Sequence, residues 1–88
     1  MIKLLDFYAE WCGPCKVMTP IFAEIEKDFA GKVEFQVIDV DQDMATSSKY
    51  GVLSIPTYVL LKDDKEVDRK IGAMPKEVLT NWLNSHLN

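Results

Sequence analysis

The 88-residue sequence predicts a small α/β domain with a mixed sheet, parallel in its first half and antiparallel in its second. Three observations carry this prediction. Two apolar runs, residues 2–8 and 33–40, flank a stretch with helical periodicity, which is the signature of a βαβ unit. Two further strand-like runs, "TYVLL" and "KEVDRKI", are separated only by "KDD", as in a hairpin. A final amphipathic segment adds a closing helix.

Each element has its own justification. Ile2 to Tyr8 is bounded by charge and rich in large side chains, and reads as a buried strand. From Cys12 the period changes. Val17, Ile21, Ile25 and Phe29 recur every four residues, with Met18 and Phe22 beside them, while Glu24, Glu26, Lys27 and Asp28 fall largely elsewhere on the wheel. That is an amphipathic helix ending near Gly31. Pro20 lies inside it and is expected to kink it, because proline lacks the amide hydrogen and clashes with the preceding turn. Val33 to Val40 alternates, with Val33, Phe35 and Val37 on one face and Gln36, Ile38 and Val40 on the other. Strand, helix, strand implies a parallel pair with a right-handed crossover. "DQDMATSSKYG" is polar with a weak helical turn closing at Gly51. The hairpin lacks the favoured Asn-Gly turn. Pro75 and Glu77 open the last helix, where Val78, Trp82 and Leu83 form an apolar stripe with Leu79 and Leu87 beside it. No repeat, low-complexity tract or linker interrupts the chain, so residues 1–88 are expected to form one domain.

Composition narrows the function. The chain is 48% hydrophobic and 27% charged, within the globular range. A net charge of -4 argues against nucleic acid or an anionic membrane as partner, since both require a basic face. The start, "MIKLLDFYAEW", meets Asp6 before any long apolar run, too soon for the core of an export signal or for a membrane span. The expected compartment is therefore the cytoplasm, where thiols are kept reduced. A cysteine pair there is more often catalytic or metal-binding than structural.

Both cysteines lie in "AEWCGPCK", residues 9–16. Cys12 falls where the strand has ended and the helix begins. The first amide hydrogens of a helix have no internal partner, and the helix dipole adds partial positive charge there. Both favour a thiolate, so Cys12 is expected to have a lowered pKa and to be the attacking sulfur. Cys15 follows on the same face of the first turn, with the two Cα atoms roughly 5 Å apart, inside the range of a disulfide. Lying one turn deeper, it is expected to be less exposed. Cys12 then attacks an external disulfide, and Cys15 resolves the mixed disulfide, leaving the Cys12–Cys15 pair oxidised. Gly13 lets another backbone approach closely, and Pro14 presets φ in the first turn. Zinc is the rival reading, but two cysteines supply half a tetrahedral site, and the single histidine, His86, lies near the end of the chain. No metal is expected.

"DFYAEWCGPCK" resembles the active-site stretch of thioredoxins, and the resemblance covers nearly the whole chain. "YGVLSIPT", residues 50–57, looks like that family's segment around a cis-proline, and "IGA", residues 71–73, like its later glycine loop. "DVDQD" and Pro20 fall where the family ends its next strand and kinks its helix. The resemblance implies a minimal thioredoxin fold, a four-stranded mixed sheet flanked by helices, and a protein-disulfide reductase. Cys12 would be the nucleophile and Cys15 the resolving cysteine. Pro56 would be cis and face the pair, with the Ile55 backbone binding the client peptide as an added strand. Trp11, Gly13, Pro14, Ile55, Pro56, Gly72 and Ala73 would form an apolar contact surface. Asp6 matches the family's buried aspartate, whose raised pKa would let it exchange a proton with Cys15. On the residues alone, Pro56 as a trans edge residue, Trp11 and Ile55 as packing residues and Asp6 as a solvated strand end stay open.

The resemblance also implies partners. With no glycine-rich dinucleotide fingerprint, no cofactor is expected to be bound, and electrons would come from a separate thioredoxin reductase, NADPH- or ferredoxin-linked. Clients would be disulfide-containing proteins. Two other readings are a disulfide oxidase or isomerase of the same fold, and a non-catalytic thioredoxin-like binding subunit. Three departures from the family pattern stand out. Val37 occupies the place where many members carry a lysine near the buried aspartate, and Tyr8 replaces a usual tryptophan. The strand and helix that usually precede "DFY" are not represented. The sheet should then have four strands rather than five, with Val33 to Val40 at an edge and one face short of a helix, which motivates a monomer or weak dimer of reduced stability. Met44 and its neighbours folding over the gap is the alternative.

Overall fold

The computed structural model describes residues 1–87; Asn88, the last position of the expected domain, lies outside the described residues. The elements run β1 (Ile2–Tyr8), α1 (Gly13–Asp28), β2 (Val33–Asp39), α2 (Met44–Lys49), β3 (Thr57–Lys62), β4 (Lys65–Ile71) and α3 (Lys76–Leu87). They build one four-stranded sheet of order β2-β1-β3-β4. β1 pairs parallel with β2 and antiparallel with β3, and β3 pairs antiparallel with β4. The expected mixed sheet is therefore present, with β2 at one edge.

Pleating sorts the side chains to two faces. Leu4, Tyr58, Leu60 and Val33 pack with Met18, Phe22 and Ile25 from α1, with Phe29 that caps its carboxyl end, and with Leu79, Trp82 and Leu83 from α3. On the other face Leu5, Phe7, Ile38, Val59 and Leu61 form a second cluster under Val40, Tyr50, Val52 and Ile55. Since α1 and α3 both pack on the first face, this is the face short of a helix, yet its five core residues are all buried. The cover comes from Tyr50, Val52 and Ile55, while Met44 itself is exposed. Arg69 holds that segment down: its Nη2 donates to the Tyr50 carbonyl at 2.6 Å.

Two helical stripes differ from the sequence reading. In α1 the buried residues are Cys15, Met18, Phe22 and Ile25, and Val17 is exposed. A strict spacing of four drifts off the face, because a helix turns every 3.6 residues. In α3 the stripe is Leu79, Trp82 and Leu83, and Val78 is exposed for the same reason. The hairpin turn also departs from the favoured chemistry. Asp63 and Asp64 both take positive φ, 52° and 67°. That is the left-handed region a two-residue hairpin turn requires, and aspartate tolerates it better than most residues.

Candidate active site

β1 ends at Tyr8, and the chain turns through Ala9 into α1, with Cys12 as its N-cap. Cys12 Sγ accepts a hydrogen bond from the Cys15 amide at 3.1 Å. The orphan amides at a helix start point at the capping atom, so the fold itself supplies a donor to this sulfur. Cys12 and Cys15 are joined in a disulfide, with Cα atoms 5.2 Å apart. Their relative exposures are 4% and 5%. Cys15 is therefore no less exposed than Cys12 in the oxidised pair, contrary to expectation. Ala9, Tyr8, Val40 and Ile55 pack around them.

Asp6 sits in the middle of β1, 8% exposed, on the face that packs against α1. Its neighbours in register are Val37 on β2 and Tyr58 on β3. A cleft of about 310 Å³ connects it with Cys15, and Tyr8, Glu10, Thr19 and Val37 are among its other lining residues. Burial pushes the Asp6 carboxyl up from 3.8 to about 7. Desolvation disfavours the charged form, and Val37 brings no cation to oppose it. A group poised there can take or give a proton near neutral pH.

The remaining residues divide by exposure. Trp11 is 69% exposed, yet its ring is pinned, since Nε1 donates to Asp41 Oδ2 at 2.8 Å. Gly13, Pro14 and Ala73 are exposed, and Ile55 and Gly72 partly so. The Ile55–Pro56 bond is cis, and Pro56 is almost fully buried. Accessible surface beside the cysteines thus comes from the residues around Pro56 more than from its ring. The Gly72 amide donates to the Pro56 carbonyl at 2.8 Å, which brings the 71–73 loop alongside. Gly72 has φ +96°, a conformation natural only to glycine. The Met74 amide, next in that loop, donates to Met18 Sδ at 3.4 Å and ties it to α1.

Sequence reasoning missed Asp41, Arg69 and Tyr58. Asp41 is distant from Trp11 in the chain, and no local pattern joins them. Among the described residues, no group of three or more histidine, cysteine or acidic side chains is placed to hold a metal.

The family model for thioredoxin matches residues 1–85. The chain belongs to the thioredoxin family. Thioredoxin of Staphylococcus epidermidis is 45% identical over 86 residues, covering 98% of this chain and 83% of the relative. Thioredoxin of Staphylococcus aureus strain Mu50 is 44% identical over the same extent. Thioredoxins are oxidoreductases acting on protein disulfides, and the cysteine spacing and geometry described above suit dithiol–disulfide exchange.

Proposed function

We propose that this chain reduces protein disulfides, with Cys12 as nucleophile, Cys15 as resolving cysteine and Asp6 as the proton acceptor for Cys15. The observation that carries the reading is the Cys12–Cys15 pair at the amino end of α1, beside the Asp6 cleft. The Cys12 thiolate attacks a client disulfide, forms a mixed disulfide and expels one client thiolate. The Cys15 thiol gives its proton to the ionised Asp6 carboxylate. Its sulfur then attacks Cys12, which expels the second client thiolate and closes the Cys12–Cys15 disulfide. A disulfide-bonded pair is thus the product of one turnover.

Trp11, Gly13, Pro14, Ile55, Pro56, Gly72 and Ala73 would receive the client, its backbone pairing at Ile55. Residues 1–88 would work as a single domain without a bound cofactor. Two electrons from a separate NADPH- or ferredoxin-linked reductase would restore the dithiol, in the cytoplasm. No described helix is long and apolar enough to cross a membrane. Insulin reduction by dithiothreitol tests the reading. The native chain should accelerate it, and Cys12→Ser and Cys15→Ser should each abolish the acceleration. Activity surviving in both variants refutes the dithiol mechanism.

A further inference from the structure

Asp6 is not the only buried polar group without a partner. Among the described residues, Asp6 Oδ1 and the Tyr58 hydroxyl are both buried and make no hydrogen bond. An unpartnered buried polar atom is costly, and two together call for an explanation. These two are neighbours. Asp6 and Tyr58 face each other in register across β1 and β3. Both side chains lie on the α1 face, because Asp6 alternates with Leu4, and Leu4 and Tyr58 share one core cluster. Side chains directly opposite in an antiparallel pair have Cβ atoms about 5 Å apart. Phe22 links the two groups, lining the Asp6 cleft while its ring stacks on Tyr58 at 6.1 Å between centroids.

We propose that Tyr58 is a positioning residue for Asp6: its buried hydroxyl donates a hydrogen bond to the ionised carboxylate, across a shared water molecule, when Asp6 has lost its proton. The cleft brings water as far as Asp6 and Phe22, on the carboxyl side of the pair, and two good hydrogen bonds in sequence span about 5.6 Å. The other hydroxyls lining the cleft are less well placed: Thr19 Oγ1 already donates to the Cys15 carbonyl, and Tyr8 is not opposite Asp6 in register as Tyr58 is. β2 presents Val37, uncharged, with Asp39 further along; β1 and its exit present Tyr8 and Glu10; α1 presents Cys15 and Thr19. The Asp6 carboxylate also acts on Tyr58 as the one charge beside it, reinforcing burial in holding the phenol protonated, so it remains a donor throughout the reaction. Donation to the charged form favours that form, so Tyr58 would hold the Asp6 titration below where burial alone would leave it. That keeps a carboxylate ready to accept the Cys15 proton near neutral pH.

The proposal rests on the proton-acceptor role given to Asp6, but its test does not need activity. The Asp6 carboxyl carbon is followed by NMR through a pH titration of the oxidised protein. In Tyr58→Phe, which keeps the ring and removes only the hydroxyl, the midpoint should rise by about one pH unit. Placing 3-fluorotyrosine at position 58, a stronger donor, should lower it and provides the test should Tyr58→Phe fail to fold. Tyr8→Phe should move it less than Tyr58→Phe does. A midpoint unchanged in both position-58 variants overturns the proposal. In the reduced protein the pH midpoint of mixed-disulfide resolution should follow the carboxyl titration. If the titration shifts and the rate profile does not, Tyr58 still acts on Asp6, and it is the role of Asp6 in resolution that fails.

Discussion

Replacing Asp6 by asparagine should stabilise the oxidised protein, and more so as the pH rises. The carboxyl is raised from 3.8 to about 7 by burial. Below pH 3.8 it is protonated in the folded and unfolded chains alike, and contributes no difference. Between those values the unfolded chain ionises while the folded one keeps its proton, so folding stability falls with rising pH. Above pH 7 both are ionised and the loss is complete. At about 1.36 kcal/mol per pH unit, the interval corresponds to a ceiling of about 4 kcal/mol. Asp6→Asn removes this titration at nearly constant volume. Urea unfolding of both proteins from pH 4 to pH 9 should give curves that diverge, with the variant gaining most of its advantage by pH 8. Parallel stability profiles would show that Asp6 does not titrate in the folded protein above its ordinary range, and the proton-acceptor argument would lose its basis.

Two further outcomes follow from the same geometry. Val37→Lys places an ammonium group in the cleft, in register with Asp6, and should lower the pH midpoint of mixed-disulfide resolution by about one unit in single-turnover measurements. Gly72→Ala meets no neighbouring atom within 4 Å, so its cost is backbone strain at φ +96°, about 1–2 kcal/mol, seen as a lower Tm.

The sequence was most legible where chemistry is local. "WCGPC" at a strand-to-helix junction sets the cysteine spacing by helix geometry alone, and the parallel pair followed from the change of period between residues 8 and 33. The alternation also sorted Val33 and Phe35 to one cluster and Ile38 and Val40 to the other, while Val37 and Gln36 are exposed at the edge and join neither. Less legible were features set by tertiary pairing. Tyr58 lies in "TYVLL", where a tyrosine reads as one more strand residue, and only the β1–β3 register sets it opposite Asp6. The Asp41 partner of Trp11 and the Arg69 anchor on Tyr50 depend on loops brought together by the sheet. The exposure of Val17 and Val78 came from a register on the helix wheel that tertiary packing decides. The burial of the second sheet face depended on the path of residues 50–55, which composition does not specify.

The division of labour between the cysteines is the central claim, and trapping tests it most directly. Cys15→Ser is mixed with a disulfide-containing client and analysed by mass spectrometry without reductant. A covalent adduct through Cys12 should accumulate, because nothing resolves it. Cys12→Ser should form none at the same protein concentration and time. Adducts forming equally in both variants, or only through Cys15, would contradict the assignment of Cys12 as the attacking sulfur.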